Sequence, residues 1–480
     1  MNYRNQKQKR FLSVIVLICS AGLSLASEES PLPVSYHLKV NIEPARGNIR
    51  VRARVDVPLE NTGTPTFKFS LHETFTVKRL LVNGKEATFT SAPLEAPLLP
   101  ASRSVIVRLP PGTTSNRVRM DIEYEGRMKS LPEFGASPDW KHSLDDQINS
   151  RMIELASYSS WYPQFVFGQP LQAETELSLP QGWISICSGK KLQDRVEQGR
   201  AITRWSSPKD TDILILASPN YKEKSVTQSG VKIEIYHTQM PEAFVEREIS
   251  QIAGVVQLYT DRLGVTNIPA GTVKQVYSPK RKGQGKAGIA RPGMIVTSEG
   301  LTLDELAKDP KFSLFQGIAH EIAHSWWNFG AGQGDWINES FAEYFSAIAV
   351  QQFSSNEEFR AVLEDYRKQV RELPADAPPL ATIPLSNDDV GFVVRYYKGG
   401  LMLDRFREVL GDEKFFQASR DFFQTYKGHS IGTAEFRGFW RGRLGDQGKV
   451  VDAWLDSAGG IPESGQKKAS MSQEIQSNTL

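Results

Sequence analysis

The chain has 480 residues, 40% of them hydrophobic and 23% charged, with two cysteines. That composition excludes a disordered tail, a collagen-like repeat and a disulfide-dense mini-protein, and the length suits two to four domains of about 100–200 residues. The formal charge of +2 depends on Arg4, Lys7, Lys9 and Arg10; without residues 1–26 the balance is about −2 by side-chain count, which excludes a general attraction to nucleic acid.

The chain opens with that basic stretch, then the apolar run Phe11–Leu25, then Ser24-Leu-Ala26 before Ser27-Glu-Glu. A positive head, a short apolar run and small residues at a cleavage point make residues 1–26 a secretory signal peptide. The run falls short of the roughly 20 residues that a membrane span needs. The expectation is an exported chain, periplasmic or extracellular, with no membrane span after signal cleavage. An uncleaved N-terminal anchor is the alternative. Cys187 is then the sole mature cysteine, so no internal disulfide is expected. In the strand-like Trp183-Ile-Ser-Ile-Cys187 it reads as a small buried hydrophobe.

From about Tyr36 to His237 the sequence alternates with a period of two, within an all-β domain expected at 31–238. Ile49, Val51, Ala53, Val55 and Val57 interleave with Arg50, Arg52, Arg54 and Asp56, and Val118, Met120, Ile122 and Tyr124 repeat the pattern, which predicts half-buried strands. Asn83-Gly84 marks a tight hairpin. Further strands are expected at Glu174–Leu179, Ala201–Trp205, Asp212–Ala217 and Val231–Tyr236, giving an antiparallel all-β domain. The arginine row 50/52/54 reads as a solvated strand face, with an anionic partner as the alternative.

After Met240 the period becomes helical. A helix runs from Pro241 to Leu263 with Gly264 closing it. Others are expected at Lys311–Asn328, Ser340–Phe353, Glu357–Arg371, Gly400–Leu410 and Asp412–Tyr426. Lys280–Lys286, with four cations and two glycines, reads as a mobile surface loop. Residues 239–463 thus form a second, mainly helical domain, and 464–480 a polar disordered tail.

The chemistry concentrates in His320-Glu-Ile-Ala-His324. Phe312, Phe315, Ile318 and Ala319 place it on an amphipathic helix, where histidines four apart share one face and can bind one zinc ion. Glu321 is turned about 100° away from His320, free to meet a water beside the metal. With seven histidines in the chain, this pattern arises by chance on the order of 0.01 times. A third ligand is offered by Glu339 or Glu343, which lie four apart on a helix that Asp335 or Asn338 can cap. One carboxylate can coordinate while the other orients an imidazole. Trp326, Trp327, Trp336, Phe341, Phe345 and Ile348 make the surroundings too apolar for a wet acidic stripe.

At these residues the sequence resembles the aminopeptidase N-like gluzincin family. Trp336-Ile-Asn-Glu339-Ser-Phe-Ala342 matches a family motif whose glutamate is the third zinc ligand, although the 14 residues between His324 and Glu339 are fewer than the family's usual spacing. Tyr162-Pro163 and Phe167-Gly-Gln-Pro170 look like a degenerate signature of its β domain. Tyr396-Tyr-Lys-Gly399 is similar to a motif whose first tyrosine stabilises the transition state, and Val450–Pro462 looks like the end of the catalytic domain. The resemblance implies a multidomain α+β protein: an N-terminal antiparallel β domain, then a thermolysin-like, mainly helical catalytic domain, without the family's large C-terminal helical domain.

The implied site has one zinc ion (Zn2+) on His320, His324 and Glu339, with Glu321 as general base, Tyr396 as oxyanion donor and Glu343 supporting His324. Peptides or proteins are the implied substrates. The family's Gly-x-Met-Glu-Asn motif, whose Glu binds a substrate's free amine, corresponds to Ala287-Gly-Ile-Ala290-Arg-Pro-Gly293, with Arg291 in the carboxylate's place. An arginine repels an ammonium group, so Arg291 is expected to influence substrate choice, while Glu154 is a second candidate amine anchor. The alternatives are an endopeptidase or amidase on the same zinc site, or a non-catalytic zinc-stabilised binding protein.

Overall fold

The structure is a computed structural model. It describes residues 33–58, 66–94, 101–110, 117–128, 147–165, 170–264, 268, 271–279, 288–291, 293–310, 313–329, 335–384 and 388–462. Residues 1–26, expected to be a signal peptide, the basic stretch Lys280–Lys286, most of Phe167–Pro170 and the tail 464–480 lie outside the described residues. Two compact units emerge: residues 1–260 with 265–325, and residues 261–264 with 326–480.

The first unit is built on sheets. Its largest has eight strands in the order Lys190–Glu197, Arg200–Asp210, Leu171–Pro180, Val34–Glu43, Asn48–Pro58, Arg117–Arg127, Thr76–Val82, Lys85–Glu86. All neighbours run antiparallel except Val34–Glu43 beside Leu171–Pro180, which departs from a purely antiparallel expectation. Those two strands are far apart in sequence, so no hairpin constrains their direction. Asn48–Pro58 buries Ile49, Val51, Ala53, Val55 and Val57 against a shared apolar core. Its outer face carries Arg50, Arg52 and Arg54 opposite Glu125, Glu123 and Asp121, at 2.9, 3.6 and 2.9 Å. The arginine row is therefore a solvated face balanced by its neighbouring strand. Asn83 and Gly84 turn the hairpin with φ of 50° and 80°, the left-handed pair that such a tight turn requires.

A five-stranded sheet runs across residue 238, where the sequence places a domain boundary. Its order is Lys222–Gln228, Val231–His237, Thr272–Ser278, Met294–Ser298, Gly288–Arg291, with the three central strands parallel. Thr272–Ser278 and Met294–Ser298 are buried at every residue, so they lack the alternation that reveals a strand in sequence. The helix Glu242–Leu263 follows Val231–His237. Tyr259 donates its hydroxyl to the Ala319 carbonyl (3.1 Å), tying that helix to the one that carries His320.

The second unit is helical. Its central helix, Asp335–Phe353, is buried from Asp335 through Val350, the signature of a helix enclosed on all sides. Around it lie Asn356–Arg371, Gly399–Leu410, Asp412–Tyr426, Thr433–Leu444 and Lys449–Asp456. Trp327 stacks on Phe341 at 4.1 Å and Phe341 on Phe422 at 5.5 Å, which anchors the central helix in an aromatic core. Among the described residues no helix is long and apolar enough to cross a membrane.

Candidate metal centre

His320 lies on the helix Phe315–Ala323 and His324 caps it. The helix is shorter than the expected Lys311–Asn328: Ser325 donates to Ile322 in an i−3 bond of 2.9 Å, tightening the last turn and ending it. His320 is buried, Glu321 and His324 half-buried. The two Nε2 atoms are 3.2 Å apart, with the rings nearly perpendicular at 81°. Imidazole nitrogens about 2.0–2.1 Å from one tetrahedral zinc lie about 3.3 Å apart, so this spacing suits a shared metal.

The helix that carries the carboxylates starts at Asp335, five residues before the expected Ser340. Asn338, expected as a possible cap, sits inside it and accepts from the Phe329 backbone N–H at 2.8 Å. Glu339 and Glu343 are both buried, which rules out a solvated stripe. His320, His324 and Glu339 each offer one ligand atom, all within 4.8 Å of one another. Two neutral imidazoles and a carboxylate form a donor set suited to one zinc ion with a coordination position left open.

Tyr396 lies in a π-helical turn, Val393–Lys398, and is buried. Burial pushes its hydroxyl well above the ordinary value, and the Glu339 carboxylate, to which it is hydrogen-bonded, pushes it further. It therefore stays protonated at neutral pH and can donate a hydrogen bond. Glu343 accepts from the Tyr366 hydroxyl at 2.5 Å, and Tyr366 stacks on Tyr397 at 4.6 Å.

The two candidate substrate-binding residues are buried in the first unit. Glu154 accepts from the Ser278 hydroxyl at 2.5 Å. Arg291 ends the edge strand Gly288–Arg291 and pairs with Asp212 at 3.0 Å, while donating to the Tyr158 hydroxyl at 3.1 Å. Asp212 also accepts from the Ser157 backbone N–H and hydroxyl, at 2.9 and 2.8 Å. The expected strand Asp212–Ala217 accordingly begins only at Ile215.

Sequence reasoning missed the ion pair between Asp335 and Arg395 in the second unit. The only signal was a lone cation in the apolar run Val393-Val-Arg-Tyr-Tyr397.

A His/His/Glu donor set on an HExxH helix and the helix that follows is the arrangement that the gluzincin resemblance leads one to expect. Residues 275–454 match the peptidase family M1 domain. It is 24% identical over 296 residues to aminopeptidase N of Lactobacillus delbrueckii subsp. lactis, covering 56% of this chain and 33% of that protein. It is 26% identical over 374 residues to probable aminopeptidase 2 of Sulfurisphaera tokodaii, covering 71% and 45%. The chain thus spans less than half the length of either relative. The fold is similar to that of the M1 zinc metallopeptidase from Deinococcus radiodurans, with a TM-score of 0.63, 17% identity, and coverage of 92% of this chain and 96% of that one. A mutant of that protein bound to a Tyr-Ser-Ala substrate superimposes with a TM-score of 0.63, at 16% identity and coverage of 89% and 95%.

Proposed function

We propose that this chain is an exported zinc metallopeptidase that hydrolyses peptide bonds, with His320, His324 and Glu339 holding one zinc ion. The observation that carries this reading is the convergence of those three ligand atoms within 4.8 Å, the two histidines coming from the helix that also presents the half-buried Glu321 and the glutamate from the next one. Bound zinc supplies a Lewis acid for the scissile carbonyl and lowers the pKa of water toward about 7. Glu321 takes one proton from the attacking water and returns it to the leaving amine as the C–N bond breaks. Tyr396 donates a hydrogen bond to the oxygen that gains charge. Glu343 supports His324 and keeps its ring oriented.

The relatives carry the name aminopeptidase, and peptides or proteins are the proposed substrates here. Arg291 stands where an amine-binding carboxylate would stand, which favours a second reading: cleavage that does not require a free N-terminus. Glu154 is then the remaining anchor for an α-amine. Export to the periplasm or the exterior rests on residues 1–26.

The test uses aminoacyl fluorogenic substrates beside N-blocked peptides, with the parent protein and Glu321→Gln. The variant should keep its zinc and lose turnover by roughly 10²–10⁴-fold. Equal turnover by parent and variant would rule out Glu321 as the base, and faster cleavage of blocked peptides would decide for the endopeptidase reading. Zinc binding without any turnover by the parent would leave the zinc-stabilised binding protein.

A further inference from the structure

The second unit contains a buried ion pair that the catalytic scheme does not use. Asp335 is the first residue of the helix that carries Glu339, and Arg395 precedes Tyr396 in the π-helical turn. The Asp335 carboxylate accepts from the Arg395 guanidinium, and both side chains are almost fully buried. Replacing such a pair by apolar residues of similar volume is often neutral or stabilising, so burial of two charges is weak support for a role in stability alone.

Its placement says more. Asp335 and Glu339 are four apart and share a helix face. Arg395 stacks over the Tyr396 ring, 5.6 Å from its centroid, and donates to the Gly391 carbonyl at 3.2 Å. One residue past Glu339, Ser340 donates its hydroxyl to the Arg395 carbonyl at 2.7 Å. Three residues past Tyr396, Gly399 lies so close to Ser340 that a Cβ there would fall 1.7 Å from the hydroxyl oxygen. The contacts thus flank the zinc-ligand position on one helix and the tyrosine on the other. A π turn holds one more residue per turn than its α-helical neighbours. It is rare and concentrated at functional sites, and its register needs outside contacts to fix it.

We propose that the Asp335–Arg395 ion pair is a positioning device that fixes the π turn bearing Tyr396 in register with the helix bearing Glu339. Neither residue touches reacting atoms. The pair sets where the tyrosine hydroxyl and the glutamate carboxylate stand relative to each other, and Ser340 and Gly399 hold the close approach between the two backbones. The assignment rests on the zinc-peptidase reading for what is positioned, but the coupling between the two segments is a property of the apoprotein as well.

The test compares the full-length parent with Arg395→Met, Arg395→Lys and the double variant Asp335→Leu/Arg395→Met, which leaves no orphaned charge. Three quantities are read: zinc affinity by chelator competition, kcat and KM on the parent's best peptide, and amide exchange over residues 391–399 in the apoprotein. Arg395→Met and the double variant should bind zinc about 10–100-fold more weakly, the usual cost of losing a group that orients a ligand. Their kcat should fall with KM near the parent value, exchange over 391–399 should quicken while 356–371 stays protected, and Arg395→Lys should recover part of each loss.

A folded Arg395→Met or double variant with zinc affinity and kcat within about twofold of the parent, and unchanged exchange, would overturn the proposal. So would failure of all three variants to fold, because the pair would then hold the fold and not the site. If the parent proves inert on peptides while zinc affinity and exchange still respond as stated, the peptidase reading fails and the positioning role stands.

Discussion

At the scale of single residues, the two histidines were legible because HExxH forces both rings onto one helix face. Glu339 was legible only through its flanking motif, since spacing alone left Glu343 as an equal rival. Arg291 shows where reading a sequence stops: the sequence presents a cation in place of a carboxylate, but only the structure shows Asp212 beside it at 3.0 Å. Removing one partner of a buried pair strands the other, at a cost of about 3–5 kcal/mol, whereas replacing both with apolar groups costs far less. Arg291→Met should therefore lower the urea-unfolding free energy by that amount, and Arg291→Met/Asp212→Leu should recover most of it. A single variant as stable as the parent, but altered in its preference between free and blocked peptides, would instead show that the guanidinium reads substrate.

At the scale of elements, strands with one face in water announced themselves and strands buried on both faces did not. Asn48–Pro58 alternates strictly, while Thr272–Ser278 is buried throughout and carries no period-two signal. The helix Thr433–Leu444 was missed because Arg437, Gly438, Arg441, Gly442 and Arg443 mask it, although Phe436, Trp440 and Leu444 recur every fourth residue and are buried. The parallel sheet also explains an unusual carboxyl on the helix Glu242–Leu263. Glu248 is buried against Tyr277 of the central strand, whose hydroxyl donates to both of its oxygens at 2.5 and 2.6 Å. Burial outweighs those bonds and pushes the carboxyl up to about 8 from its ordinary 4.5. The folded state therefore holds a proton that the unfolded chain releases above 4.5. The contribution of Glu248 to stability is fully present below that pH and is lost as pH rises toward 8. Glu248→Gln, which keeps a hydrogen-bonding group without the charge, should gain stability relative to the parent as pH rises from 5 to 8. Urea unfolding across that range checks it, and a constant difference between the two proteins would show that Glu248 ionises normally.

At the scale of the whole molecule, the question is what holds the chain together if, as proposed, it is exported without an internal disulfide. Cys187 is buried, with its thiol pushed up to about 12 by that burial, and its backbone carbonyl accepts from the buried Lys274 ammonium at 2.8 Å. Its surroundings suit packing and not redox exchange. The other cysteine, Cys19, lies within residues 1–26. Cohesion must then come from apolar cores in each unit, and from any ligand that binds the folded state alone. Zinc at about 100 times its dissociation constant would add about 2.7 kcal/mol, equivalent to about 5–10 °C in Tm for a transition of 150–250 residues. Stripping the metal with a chelator should lower the melting transition of the helices that carry the ligands by that much, and restored zinc should recover it. A phosphine reductant at neutral pH should leave every transition where it was. The two treatments separate the sources of cohesion cleanly, because a chelator leaves disulfides intact and a phosphine reductant does not strip structural metal. A transition that moved with the reductant and ignored the chelator would place the staple in a disulfide and remove zinc from the account of what holds this chain together.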